Sequence, residues 1–188
     1  MRRTALSKAG RRIEEEGRRQ CSLMYSAAAL ALQRHWGKKK DAIARLFEQS
    51  RQIWNDCAGD ENRSMIQICE EETGIEIQNG DGKSWQDLPY LNGSINPGMM
   101  SEAQWLYMRR QQVKWVAPSV MACIIVTLHR RYGFGYDRCA RIYQQIQDIE
   151  AEYAMNPKRI REACLKETGI NVEETIRREK HEIQDHSD

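Results

Sequence analysis

Apolar residues recur along this chain at spacings of three and four, the period of an α-helix seen from one face. Leu23, Met24, Ala27, Leu30 and Ala31 make the first stripe, and Gly37 ends it by supplying the left-handed residue of a helix C-cap. Ile43, Leu46, Phe47, Ile53, Trp54 and Cys57 make a second. Met65, Ile68 and Cys69 make a third that stops at Gly74, with Ile75 folding back as the hydrophobic contact of the cap. Ser101-Glu102-Ala103-Gln104 reads as a capping box with Met100 and Trp105 as its hydrophobic staple, so a helix starts there. It carries Trp105, Met108 and Trp115 and ends before Pro118, because the residue ahead of a proline avoids helical geometry. A strongly apolar helix over 119–132 follows, then a long one over 136–153 and a short one from Asn156-Pro157 to Thr168. Asn171 with Glu174 opens a last, highly charged helix.

The pattern is written twice. Leu32-Gln33-Arg34-His35-Trp36-Gly37 is echoed by Leu128-His129-Arg130-Arg131-Tyr132-Gly133, and Asp41, Ala44, Arg45, Leu46, Phe47, Gln49 and Ile53 by Asp137, Ala140, Arg141, Ile142, Tyr143, Gln145 and Ile149, all at an offset of 96. Glu72-Thr73-Gly74-Ile75 returns as Glu167-Thr168-Gly169-Ile170 at an offset of 95. The expected fold is all-α, with two pseudo-repeated three-helix units, each an αα-hairpin plus a short helix, joined by a loop and a connecting helix. The expected divisions are a basic helical arm over 1–21, repeat 1 over 22–77, the loop and connecting helix over 78–117, repeat 2 over 118–172, and a charged C-terminal helix over 173–188. The arm pairs Glu14 with Arg18 and Glu15 with Arg19 at four-residue spacing, while Gly17 weakens it in the middle. The 78–98 loop holds four of the twelve glycines and two of the four prolines, and Trp85, Leu88, Tyr90 and Leu91 could pin it to the body.

Bulk composition narrows the function. Twenty-nine Lys and Arg against 27 Asp and Glu leave a net charge of +2 over 188 residues, so affinity for nucleic acid has to come from a local patch. The longest apolar run, Val120 to Val126, is far short of the roughly 18 residues of a membrane span, and the basic N-terminus lacks the apolar core of a signal peptide. A soluble, cytoplasmic protein with no membrane partner is expected. The six cysteines form no C-x-x-C pair and read as small buried hydrophobes, Cys69 and Cys164 at matching repeat positions. His181-Glu182 with His186 is one residue too long for a zinc-protease helix, since five residues turn about 140°. Gly133-Phe134-Gly135 lacks the third glycine and the strand of a dinucleotide site, and Glu70-Glu71-Glu72 fans out around a helix end. No cofactor, no metal and no enzymatic activity are expected.

What remains is basic clustering at the two turns: Arg34, His35, Lys38, Lys39 and Lys40 around Gly37, and His129, Arg130, Arg131 and Arg138 around Gly133. A pseudo-twofold arrangement would set two basic knuckles on symmetric parts of the surface, where they could meet a phosphate backbone or an acidic partner. The competing reading is a solvated face whose cations complement helix C-termini. A helix-turn-helix fits poorly, because Gln33 or His129 occupies the position that should be small and the second helix is too long. The segment Leu128-His129-Arg130-Arg131-Tyr132-Gly133-Phe134-Gly135, with Glu167-Thr168-Gly169-Ile170, resembles small helical proteins of Gram-positive prophages and mobile elements, a group without an established activity. The expected function is that of a phage or mobile-element protein that binds a host or phage protein as adaptor or inhibitor. The alternative is a nucleic-acid-binding accessory protein using the paired basic patches.

Overall fold

The computed structural model describes residues 8–57, 64–79, 82, 101–174 and 176, and among them all regular structure is helical. The helices are α1 (Lys8–Trp36), α2 (Lys40–Cys57), α3 (Met65–Thr73), α4 (Glu102–Val113), α5 (Val116–Tyr132), α6 (Tyr136–Glu152) and α7 (Pro157–Thr168), with a further helical turn at 172–174. The loop anchors Trp85, Leu88, Tyr90 and Leu91, the staple residue Met100 and the histidines of the tail lie outside the described residues.

Two helices form the centre. Residues 26–32 of α1 and 120–128 of α5 are buried on every face, which requires neighbours all round rather than an amphipathic seat. Ala27, Ala28 and Ala29 supply little bulk, so adjacent helices can close on α1 there. The surrounding helices cross over between the halves of the chain. α1 packs on α7, α6 and α5, whereas α5 packs on α3 and α2. α1 and α2 barely meet, through contacts such as the edge of Phe47 against Tyr25 at 4.7 Å. The αα-hairpin expected of α1 and α2 is therefore open. The stripe Ile43, Leu46, Phe47, Ile53 turns to the more apolar α5, where it is removed from water.

The basic arm and the first core helix are one unbroken α1, which runs across residue 21. Gly17 is tolerated mid-helix because it faces the side chains of Val113 and Val116, which a Cβ would meet at 3.8 Å. Its half of α1 packs against α4. α4 begins with the expected capping box, Ser101 and Gln104 each accepting from the other's backbone N–H, and ends at Val113. After the turn at Lys114-Trp115, α5 starts at Val116, earlier than the pattern suggested, with Pro118 in its first turn, where a proline costs little. Among the described residues no single helix is long and apolar enough to cross a membrane; α4 and α5 reach that length only as a pair bent by 40°.

Candidate functional site

The two basic turns are built alike. At the first, Gly37 (φ 61°) lets its own N–H reach Gln33 O at 3.0 Å and the Lys38 N–H reach Leu32 O at 3.1 Å. At the second, Gly133 (φ 67°) does the same with His129 O at 3.1 Å, and Phe134 N–H with Leu128 O at 3.2 Å. A side chain would be strained in either glycine position. The residue before the first glycine and the residue after the second then meet: Trp36 lies against Phe134 with ring centroids 5.1 Å apart, and Trp36 Nε1 donates to Gln145 Oε1 at 2.7 Å. The two turns are consequently neighbours on one face, not knuckles on separate parts of the surface.

Two of the candidate cations are spoken for. Arg34 forms a bidentate pair with Glu167 (Nε to Oε2 2.8 Å, Nη2 to Oε1 2.6 Å) and also donates to Glu152 Oε2 at 2.7 Å and the Tyr153 hydroxyl at 2.8 Å. Arg130 pairs with Glu72 in the same geometry (Nε to Oε2 2.8 Å, Nη2 to Oε1 2.5 Å). The Glu167 hydrogen bond raises the Arg34 pKa further above its ordinary value, as Glu72 does for Arg130, and Arg34 in turn depresses Glu167. These are latches: Arg34 ties α1 to α6 and α7, and Arg130 ties α5 to α3. Below each glutamate the same support recurs, with Thr73 Oγ1 donating to Cys69 O and Thr168 Oγ1 donating to Cys164 O, both at 2.7 Å.

His35, Lys39, Lys40, Arg131 and Arg138 stay at the surface and Lys38 is half-buried. Arg138 stacks over Phe134, its guanidinium carbon 5.7 Å from the ring centroid. The Lys40 stem crosses the C-cap of α7, its Cδ 3.6 Å from where a Cβ on Gly169 would stand. His129 is partly buried, and its Nδ1 must carry the proton because its partner at 2.8 Å, Phe134 O, can only accept. Tyr132 and Tyr136 flank these cations at 37 % and 60 % exposure. α6 starts at this face with Gly135 as an N-cap that offers no side-chain acceptor. The face gathers cations, aromatic rings and a helix N-terminus, groups that hold anions.

A second feature was not singled out from sequence. A cavity of about 380 Å³ opens between the N-terminal half of α1, the start of α5, α6 and the α6–α7 connection. Its wall includes Glu150, 7 % exposed, whose carboxyl pKa burial pushes up to about 7. The signal was legible: Glu150 follows Ile146 by four residues on the buried stripe Cys139, Ile142, Ile146, Ile149, where an apolar residue is the rule. At the cavity mouth Ala154 and Met155 are left-handed (φ 50° and 54°), a strained conformation for non-glycine residues. None of the six cysteines is joined in a disulfide; Cys69, Cys123, Cys139 and Cys164 are buried as expected, while Cys21 and Cys57 are only partly so. No group of His, Cys, Asp and Glu among the described residues could hold a metal ion. Comparison of the chain with protein-family models, with curated proteins and with solved structures finds no match.

Proposed function

We propose that this is a non-enzymatic binding protein, built from two copies of one three-helix unit, whose ligand surface is the face where the two basic turns join. The reciprocal latches Arg34–Glu167 and Arg130–Glu72, between matched positions of the two segments, support the duplication. The ligand class that fits the joined face best is the phosphate backbone of a nucleic acid. The observation that carries this reading is the Trp36–Phe134 contact, which merges two clusters into one field. Lys38, Lys39, Lys40, Arg131 and Arg138 remain there once Arg34 and Arg130 are committed to carboxylates. Tyr132 and Tyr136 add exposed ring faces on which unpaired bases can stack. The resemblance in the repeated segments would set this activity in a prophage or mobile element.

A second reading, an adaptor or inhibitor that captures an acidic protein, draws on the same exposed tyrosines, since Tyr and Arg together form the energetic centre of many protein interfaces. The two separate on salt. Fluorescence anisotropy with labelled duplex DNA, single-stranded DNA and RNA should give binding that weakens steeply with salt and depends little on sequence. Changing Lys38, Lys39, Arg131 and Arg138 to Ala should lower affinity at least tenfold and flatten the log–log salt slope by about 3 to 4, roughly one unit per lost phosphate contact. Wild-type protein that binds none of the three probes, or a variant that binds them unchanged, would overturn the nucleic-acid reading and leave salt-tolerant, stoichiometric protein capture as the function to test.

A further inference from the structure

The cavity beside Glu150 lies on other helix surfaces than the basic face and calls for a different ligand. Leu23 and Met24 of α1, Pro118 and Met121 of α5, and Met155 give it apolar walls, while Tyr143 of α6 brings a ring close to Glu150. Its volume of about 380 Å³ falls in the range of small-molecule sites, about 300 to 1,000 Å³. Glu150 is 7 % exposed, and no hydrogen bond or ion pair joins its carboxylate to another described residue. Arg19, nearer the rim, pairs with Glu16 at 3.9 Å with 64 % of its side chain exposed. A buried carboxylate without a partner is costly, and a fold keeps one most economically where a cation arrives to pair with it.

We propose that this cavity binds a small organic amine, its protonated nitrogen against Glu150 and the ring of Tyr143, and its apolar body among the methionines. Among the described residues no three His, Cys, Asp or Glu side chains gather here, so a hard metal ion, which takes several oxygens, lacks its carboxylate ligands. The cavity suits an ammonium group, which a carboxylate and an aromatic face satisfy together. The flexible, polarisable Met24, Met121 and Met155 can adapt to the body of the ligand. Anionic ligands of the same shape are repelled by Glu150.

The methionines also report occupancy. Protein labelled with ¹³C in the methionine methyl groups would be titrated, without nucleic acid, with phenethylamine and with its carboxylate counterpart 3-phenylpropionate. The amine should shift the Met24, Met121 and Met155 signals saturably, and the acid should leave them in place. Glu150→Gln, which removes the charge and keeps the shape, should weaken the amine at least tenfold. Ala117→Leu, which narrows the cavity without touching the carboxyl, should weaken it as well. The proposal is overturned if phenethylamine produces no saturable shift, if the acid binds as tightly as the amine, or if Glu150→Gln binds the amine as wild type does.

Discussion

Replacing Glu150 by Gln should make the unliganded protein more stable, by an amount that depends on pH. Burial lifts the Glu150 carboxyl from 4.5 to about 7, so the folded state holds its proton across a range where the unfolded chain has lost it. A folded-state pKa above the unfolded one means that the group's contribution is intact below about pH 4.5 and is lost as pH rises through about 7. The cost of ionising Glu150 in the folded state is then about 3 kcal/mol at pH 8 and about 1 kcal/mol at pH 5. Gln carries no charge at either pH and escapes both. Urea unfolding followed by circular dichroism, wild type against E150Q, should show the variant stabilised by about those amounts at unchanged m-value. Tyr143 does not confuse the comparison, because burial and the nearby Glu150 charge both push its ionisation above pH 10. A gain of under about 1 kcal/mol at pH 8, or one that does not shrink at pH 5, would refute the reasoning; it would mean that water in the cavity solvates the carboxylate nearly as bulk solvent does.

The Arg34 latch should show coupling of about 1 kcal/mol in a double-mutant cycle of Arg34→Ala and Glu167→Ala, and Arg34→Lys should recover less than half of it, because an ammonium cannot hold both carboxylate oxygens. Neither single variant should change the salt slope of nucleic-acid binding, which separates a latch from a ligand contact. With Ellman's reagent on the native protein, Cys21 and Cys57 should react. Cys69 and Cys123, whose thiols burial raises to about 12 and about 11, should stay silent with Cys139 and Cys164 until urea unfolds the chain.

What the sequence revealed and what it concealed divide along the range of the interaction. The helix ends at Gly37, Gly74, Gly133 and Gly169 and the capping box at Ser101 depend on residues a few positions apart, and a linear pattern carries them. Which stripe packs on which is another matter. Period 3.6 says that α2 has an apolar face but not that the face is turned to α5 rather than α1. Gly17 suggested a weak point because its partners Val113 and Val116 are about a hundred residues away in the chain. For the candidate site the same limit held. Arg34 looked like a free cation beside a helix end, since its two carboxylate partners are 118 and 133 residues distant. The matched offsets of Arg34 with Arg130 and Glu72 with Glu167 were visible, yet only the packing sets these residues in two crossed pairs.

If the chain is a duplicated unit, the matched and unmatched positions sort by role. Residues that grip the opposite half are the same in both copies, Arg34 and Arg130 with Glu167 and Glu72, and so are the residues that brace those glutamates within their own helices, Thr73 and Thr168 on the carbonyls of Cys69 and Cys164. A pseudo-twofold arrangement needs each grip twice, so neither copy can change one without loosening the core. At both candidate ligand sites the copies differ. Lys38 stands opposite Phe134, Gln33 opposite His129, Lys40 opposite Tyr136, and the buried Glu150 of α6 opposite Trp54 of α2, which is 41 % exposed. Glu150 therefore has no carboxylate counterpart in α2, and the joined basic face presents lysines on one side and tyrosine with arginine on the other. A surface of that kind has no twofold partner to satisfy. Under the proposed function the ligand need not be palindromic, and a single nucleic-acid strand, which has direction, matches the asymmetry better than a symmetric duplex site does.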